Sequence, residues 1–315
     1  MTTLRWGAAT DVGRLRRVNE DSVLTATPLF AVADGMGGHA GGEVASDVAL
    51  TTLEERFAAE PRTTEALVQA VRDANTAIYE RALTEAKLHG MGTTLTALLI
   101  SGRAIAMVHI GDSRAYLLRD GRLRQVTKDH TYVQMLVDEG AITAEEASHH
   151  PHRSLVTQVL QGEPIEPNYS VREAIKGDRY LLCSDGLSNV VSMATMGDVL
   201  RDYRDADACA ERLIDLALRA GGPDNITAIV ADIVAVDDSD PQVAVAHRAN
   251  APAEERPSPR PRPARAAPGG VERPAPEPTG EQPASWWARH RLTLVLVLTL
   301  GVLLAAAGVW YVVTG

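Results

Sequence analysis

The chain has 315 residues, enough for one sizeable domain with its own core, and a net charge of −10. The whole excess of negative charge falls in residues 1–236, which argues against nucleic acid as a partner because the phosphate backbone repels an acidic surface. The two cysteines, Cys183 and Cys209, lie within apolar patterns, which favours buried reduced thiols over a disulfide or a zinc site.

Within residues 1–236, apolar periodicity predicts strands on either side of two long helices. The predicted strands are 4–10, 21–26, 29–34, 93–101, 104–110, 114–119, 122–127, 179–184 and 226–235. The predicted helices are 41–59, 63–88 and 206–220. Asp120-Gly121 predicts a two-residue hairpin turn. Because adjacent strands and adjacent helices come in runs, antiparallel sheets with helices packed outside are favoured over a regular βαβ alternation.

Beyond residue 236 the composition changes twice. Residues 237–285 are rich in Pro, Arg, Ala and Glu and predict a disordered linker. Residues 286–291 contain Trp and Arg and are interpreted as an interfacial segment. Residues 292–313 are a run of 22 without a charge, which predicts one C-terminal transmembrane helix. Because the cationic residues precede this run, we expect a single-pass anchor in the cell membrane with the first domain in the cytoplasm.

Four aspartates stand where apolar strands begin or end. Asp34, Asp112 and Asp185 follow such runs, and Asp224 comes just before one. If these strands share a core, their ends bring carboxylates into one cleft, where mutual repulsion calls for a cation. Oxygen ligands without cysteine or histidine favour Mg²⁺ or Mn²⁺. A glycine such as Gly35 lets a backbone carbonyl approach the ion. One Asp-Gly pair alone predicts a turn, but four such acids indicate a divalent-metal site, without defining a reaction.

Short motifs follow one another in a fixed order along this domain. They are Arg16-Arg17-Val18-Asn19-Glu20-Asp21-Ser22, Asp34-Gly35-Met36-Gly37-Gly38-His39, Gly41-Gly42-Glu43, Gly92-Thr93-Thr94, Gly111-Asp112-Ser113-Arg114, Ser184-Asp185-Gly186-Leu187 and Gly222-Pro223-Asp224-Asn225-Ile226-Thr227. Together they closely resemble the bacterial form of the protein phosphatase 2C, or PPM, family over residues 4–235. The resemblance implies an α+β fold, a four-layer α-β-β-α sandwich of two antiparallel sheets flanked by helices. It also implies that residues 1–236 are the catalytic domain of a metal-dependent protein serine/threonine phosphatase.

The resemblance further implies a metal-binding role for each acid. Asp34 is similar to the carboxylate that bridges two Mn²⁺ or Mg²⁺ ions, and Gly35 to the residue whose carbonyl binds one of them. Asp185 and Asp224 are similar to ligands of the other ion. Asp112, with Asp185, resembles the ligand pair of a weaker third ion.

The remaining implied roles concern substrate and water. Glu20 resembles the acid that holds metal-bound water, and Arg16 the arginine that grips the substrate phosphate. The implied reaction is hydrolysis of phosphoserine and phosphothreonine by a bridging water, so Arg16, Asp34 and Asp185 are the implied catalytic residues. Many eukaryotic relatives have histidine after the Asp-Gly pair, where this chain has Met36. His39 or a metal-bound water is then left to protonate the leaving group.

Three histidines, His149, His150 and His152, form a cluster within residues 130–165. Their spacing is not that of a zinc site, so a polar loop is the preferred interpretation. The resemblance places this stretch in the family's mobile flap beside the active site.

The family resemblance implies phosphorylated proteins as partners, among them membrane serine/threonine kinases and their substrates, with membrane lipid around the tail. Two alternatives belong to other functional classes. A catalytically dead phosphoprotein-binding module would be expected to have lost Asp34, Asp185 or Asp224, and all three are present. A metal phosphodiesterase acting on nucleotides is disfavoured by the acidic charge and the lack of an aromatic and basic patch.

Overall fold

The computed structural model describes residues 2–37, 41–59 and 62–236. Their strands are β1 (Thr3–Asp11), β2 (Asp21–Ala26), β3 (Leu29–Met36), β4 (Gly92–Thr93), β5 (Leu95–Ser101), β6 (Ala104–Ile110), β7 (Arg114–Arg119), β8 (Arg122–Gln125), β9 (Asn168–Glu173), β10 (Arg179–Cys183) and β11 (Ile226–Ala235). Their helices are α1 (Gly41–Ala59), α2 (Thr64–Thr84), α3 (Tyr132–Asp138), α4 (Ala144–Ser148), α5 (Asp185–Ser188), α6 (Met193–Asp202) and α7 (Ala206–Arg219). A 3₁₀ turn, Ala86–Leu88, follows α2.

Two antiparallel sheets pack face to face, with helices on their outer faces. The first sheet has the order β1-β11-β10-β7-β8, and the second has the order β2-β3-β5-β6-β9, with β4 paired to β3. Alternation along β3 sends Phe30 and Val32 into the layer between the sheets and Ala31 and Ala33 toward the core shared with α1 and α2. The outer face of the first sheet is covered by α5, α6 and α7. These three buried layers give the expected four-layer α-β-β-α sandwich.

Within residues 1–236 the predicted strands and helices all form, with differences that have local causes. The predicted strand 93–101 is two strands, because β4 pairs with the end of β3 while β5 pairs with its beginning. The predicted helix 63–88 ends at Thr84 because Glu85 is extended, with φ −143° and ψ 122°. Asp120 and Gly121 both have positive φ, 52° and 72°, as a type I′ turn requires.

Sequence periodicity missed β9 and the four short helices α3 to α6. Strand β9 lies at the edge of its sheet and pairs with β6. Its sequence, Asn168–Glu173, is mostly polar, and Val171 is its one buried side chain. An edge strand of this kind has no apolar alternation to detect, because little of its surface packs against the core.

Antiparallel pairing gathers the acidic strand ends at one end of the sandwich. Asp21 and Asp34 are register partners on β2 and β3. The pairing of β10 with β11 puts Asp185, after β10, at the same end as Asp224, before β11. Strand β7 pairs with β10 from its first residue, so Asp112, which precedes β7, also lies there. The topology therefore produces the convergence that the sequence predicts.

The C-terminal predictions fall on other residues. The linker 237–285, the interfacial segment 286–291 and the transmembrane helix 292–313 lie outside the described residues. Among the residues that are described, no helix has both the length and the apolar character needed to cross a membrane.

Candidate metal centre

Asp34 is the centre of the carboxylate cluster. Burial raises the pKa of its carboxyl well above the ordinary value, and the negative charges of Asp21, Asp185, Asp112 and Asp224 raise that pKa further. The pKa of Asp185 is also raised, by burial first and then by Asp224, and its carboxyl lies within hydrogen-bond reach of Asp34. Burial likewise raises the pKa of Asp112 to about 7, with Asp185 adding to the shift. The structure thus brings four predicted metal ligands into mutual electrostatic contact.

Asp21 is a fifth member of the cluster that sequence reasoning did not single out. Its Oδ2 accepts a hydrogen bond of 2.7 Å from Ser184 Oγ. Its Oδ1 is buried and has no hydrogen-bond partner among the described residues. Burial, with the charges of Asp185 and Asp224, raises the pKa of Asp21 to about 7. In the sequence, the one feature that could have drawn attention to Asp21 is its position next to Glu20. Its pairing with Asp34 on the neighbouring strand is visible only in the structure.

Backbone contacts explain why glycine stands at position 35. A Cβ there would lie 2.1 Å from the carbonyl oxygen of Gly42 and 2.6 Å from that of Glu20. The Gly35 N–H also donates to the Glu20 carbonyl over 3.1 Å. Gly35 is therefore required for the packing of α1 against the end of β3, in addition to any role of its carbonyl toward an ion.

Two threonines of the Gly92-Thr93-Thr94 motif hold the Asp34 backbone. The Asp34 N–H donates to Thr94 Oγ1 over 3.0 Å. The Asp34 carbonyl accepts from the Thr94 N–H and from Thr93 Oγ1, both at 2.9 Å. Because both polar groups of the Asp34 backbone are bonded, the carboxylate projects from a fixed point at the edge of the second sheet.

Arg16 and Glu20 lie beside the carboxylates on the connection between β1 and β2. Arg16 Nη2 donates to Asp224 Oδ2 over 2.8 Å, and this hydrogen bond raises the pKa of Arg16. Burial raises the pKa of Glu20, while the charge of Arg16 opposes the shift. The guanidinium thus lies beside the carboxylate cluster with its side chain about half exposed, where an incoming anion can reach it.

The side chain of Asn225 holds the connection between β1 and β2 in place. The sequence pattern alone assigns it no role. Its Nδ2 donates to the carbonyls of Val12 and Val18, each over 2.9 Å. Its Oδ1 accepts from the Glu20 N–H over 2.8 Å. Asn225 is only 4% exposed, so its amide replaces water for three backbone groups that would otherwise be unsatisfied.

The histidines singled out in the sequence stand apart from these contacts. His39 lies outside the described residues. His150 and His152 pack against Tyr132, with ring centroids 6.1 and 6.2 Å away, and against each other at 5.6 Å. His149 follows α4, and its Nδ1 is 2.8 Å from Ser148 Oγ. These contacts agree with a polar loop on the stretch that resembles the flap.

The donor set fits hard divalent cations. The cluster offers carboxylate and carbonyl oxygens, including one buried Asp21 oxygen with no partner among the described residues, and its mutual repulsion is of the kind that a cation relieves. Within the described residues, no three His, Cys, Asp or Glu side chains are gathered as closely as a bound ion would hold them. The carboxylates therefore share one end of the sandwich without meeting at a single point, and an ion such as Mg²⁺, which commonly keeps several of its waters, does not require a closed set of protein ligands.

Comparison with known proteins gives a consistent result. The sequence profile of the family described as protein phosphatase 2C matches residues 17–229. The serine/threonine protein phosphatase PstP of Mycobacterium tuberculosis is 54% identical over 236 residues, which are 74% of this chain and 46% of that protein. The chain therefore spans about half the length of this curated relative.

Solved structures are similar over the same region. The crystal structure of the Mycobacterium tuberculosis phosphatase PstP superposes with a TM-score of 0.71 at 52% identity and covers 73% of this chain and 98% of that one. A second structure, the catalytic domain of PstP in complex with two manganese ions, has a TM-score of 0.69 at 52% identity and covers 74% and 99%.

Proposed function

Because the chain belongs to the protein phosphatase 2C family, we propose that residues 1–236 form a metal-dependent catalytic domain that hydrolyses phosphoserine and phosphothreonine in proteins. The observation that carries the proposal is the gathering of five aspartates at one end of the sandwich, where burial and neighbouring negative charges raise the pKa values of Asp21, Asp34, Asp112 and Asp185. The two manganese ions in the similar PstP catalytic domain support two Mn²⁺ or Mg²⁺ ions as the cofactors.

The proposed ligands are those that line the cleft. Asp34 and the Gly35 carbonyl would hold one ion, and Asp34, Asp185 and Asp224 the other. Asp112 with Asp185 would hold a weaker third ion. When bound, such ions lower the pKa of water and stabilise negative charge on a transferring phosphoryl group. Asp21, with a buried oxygen free of partners among the described residues, is available to accept a hydrogen bond from water inside the cleft.

Arg16 is the proposed phosphate-binding residue. A guanidinium presents parallel N–H donors that match two oxygens of a phosphate, and it stays charged at any working pH. In this structure Arg16 is paired with Asp224. Asp224 is also a proposed metal ligand, so a bound cation would take over the neutralisation of its charge. With Asp224 engaged by an ion, the Arg16 guanidinium would be available to bind the phosphate. Glu20 lies four residues further along the chain. Asn225 accepts a hydrogen bond from its N–H and Gly35 donates one to its carbonyl, which fixes the Glu20 backbone beside the carboxylate cluster.

A substrate comparison tests the proposed function directly. Purified protein with Mn²⁺ is expected to release phosphate from a phosphothreonine peptide and to leave a dinucleotide intact, because a phosphomonoester has the additional negative charge and terminal oxygen that Arg16 and two cations would engage. A chelator should stop the release, and added Mn²⁺ should restore it. Turnover of the dinucleotide alone would make the protein a phosphodiesterase. Peptide binding without turnover would make it the binding module considered above.

We also propose that residues 292–313 anchor the protein to the cell membrane, with residues 237–285 as the linker and residues 286–291 at the interface. This position would favour membrane serine/threonine kinases and their substrates as partners. The full chain is expected to sediment with membranes and to resist carbonate extraction, whereas a protein ending at residue 236 should remain in the soluble fraction with its phosphatase activity. Release of the full chain by carbonate would rule out the anchor.

A further inference from the structure

The connection between β1 and β2 has a rigid backbone although its side chains are exposed. Residues 12–19, which we call the recognition loop, are held by Asn225 at both ends, through the carbonyls of Val12 and Val18. In between, the Arg14 N–H donates to the Gly222 carbonyl over 2.7 Å. Gly13 has φ +76°, and a Cβ there would lie 2.1 Å from the Asp224 carbonyl oxygen. The loop is thus packed directly on the segment that carries a proposed metal ligand.

The outward side of the recognition loop combines apolar and basic groups. Leu15 is 73% exposed, more than any other large apolar side chain among the described residues, and Val18 is 45% exposed. A leucine so far out of the core contributes little to folding. Exposed leucines are common on soluble proteins, so a partner is indicated by the place of Leu15 and Val18, which flank the proposed phosphate-binding residue and can offer apolar contact to a bound peptide.

The three arginines of the loop differ in what they contact. Arg14 Nε donates to the Leu218 carbonyl at the end of α7, and Arg16 donates to Asp224. Arg17 is exposed, and no side-chain hydrogen bond or ion pair engages it within the described part of the chain. One unengaged guanidinium thus stands next in sequence to the proposed phosphate-binding residue, in a domain that is otherwise strongly acidic.

We propose that the recognition loop binds the protein substrate beside its phosphorylated residue and that Arg17 selects an acidic side chain there, with Leu15 and Val18 in contact with an apolar neighbour. The inference rests on the proposed function and adds a substrate class to it: phosphopeptides with an acidic residue near the phosphoresidue. Because the domain is otherwise strongly acidic, attraction to Arg17 favours peptides whose acidic residue lies next to the recognition loop. Because the loop is already ordered, binding does not require it to lose conformational freedom.

Charge reversal tests the pairing. A neutral phosphothreonine peptide is compared with versions that place one Glu or one Lys at each flanking position, and kcat/KM is measured for the full protein and for Arg17→Glu. The wild type should prefer Glu over Lys at one or more positions by about twofold to fivefold, the range of an exposed ion pair. Arg17→Glu should prefer Lys at the same positions. The rate on a small aryl phosphate is measured for each variant to correct for changes at the metal centre.

Two matched control variants test whether the effects belong to the recognition loop or follow from any change of surface charge or apolar surface. Arg122 is also exposed, but lies at the β7–β8 turn, at the far end of β7 from Asp112, so Arg122→Glu should retain the wild-type preference. Leu15→Ala should raise KM for a peptide with an apolar neighbour, whereas Leu83→Ala, at a residue 62% exposed near the end of α2, should not.

The outcomes distinguish the two proposals. If the wild type hydrolyses the peptides with no preference between Glu and Lys, or if Arg17→Glu keeps the wild-type preference, the recognition loop is refuted and the phosphatase stands. If the wild type releases phosphate from none of the peptides, the proposed function fails and the inference fails with it.

Discussion

Replacement of Asp34 by asparagine is expected to reduce Mn²⁺-dependent phosphate release by roughly a thousandfold or more, equivalent to about 4 kcal/mol of transition-state stabilisation. The reason is that Asp34 stands at the centre of the carboxylate cluster, within the electrostatic reach of four other aspartates. An amide oxygen at this point donates no negative charge to an ion. The measurement is kcat/KM on a phosphothreonine peptide at saturating Mn²⁺.

Although Asp34→Asn should lower activity, it should not lower the stability of the metal-free domain. The pKa of Asp34 is raised in the folded protein, so its ionisation is less favourable there than in the unfolded chain. Its unfavourable contribution therefore appears as the pH rises above the unfolded pKa and is fully present above the folded pKa. The side-chain amide of the variant cannot ionise. In chelator near neutral pH, Asp34→Asn should melt at the same temperature as the wild type or higher.

Added Mn²⁺ should reverse that order. An ion that binds only the folded state stabilises it in proportion to the logarithm of its concentration, so the wild type should gain melting temperature with Mn²⁺ and Asp34→Asn should gain less. Asp47→Asn is the control, because Asp47 is an exposed acid on α1. A lower melting temperature of Asp34→Asn in chelator, or full activity with Mn²⁺, would contradict the proposed role of Asp34.

The cluster was predictable because its acids are local features of strongly patterned strands. Apolar runs identify β3, β6, β10 and β11, and an acid at the boundary of each predicts a shared cleft once the sheets are antiparallel. Asp21 escaped notice because its role depends on its pairing with Asp34 across β2 and β3. The local sequence around Asp21 has no comparable signal, because Asp21 begins its strand next to another acid, Glu20.

Contacts between distant parts of the chain were not predictable from pattern. Asn225 bonds Val12, 213 positions away in sequence, and an asparagine before an apolar strand predicts no more than a turn. Thr93 and Thr94 also hold Asp34 through long-range contacts. These contacts depend on the break between β4 and β5, and the apolar periodicity of the sequence does not predict that break. The sequence therefore indicates the candidate metal-binding and phosphate-binding groups, while the groups that hold them in position emerge only from tertiary structure.

Asn225 offers the sharpest test of that distinction. We expect Asn225→Ala to lower the free energy of unfolding by about 2–4 kcal/mol, because two backbone carbonyls and one N–H lose their buried partner. The loop that carries Arg16 and Glu20 would then shift, and kcat/KM on a phosphothreonine peptide should fall roughly a hundredfold, as expected for a catalytic group displaced by about 1 Å. Chemical denaturation and peptide kinetics measure the two effects.

Asn75, on α2, provides a closely matched control. It is 6% exposed, and its amide also makes three backbone hydrogen bonds, to the carbonyl of Glu163 and the N–H groups of Gln161 and Gly162. Asn75→Ala should therefore lose a similar amount of stability with a smaller loss of kcat/KM, because its partners are at the end of the stretch that resembles the flap and none of them is a proposed metal-binding or phosphate-binding residue. Equal catalytic losses in the two variants would show that destabilisation alone explains the result. A large loss confined to Asn225→Ala, with the aryl phosphate rate falling in parallel, would identify Asn225 as the residue that positions Arg16 and Glu20.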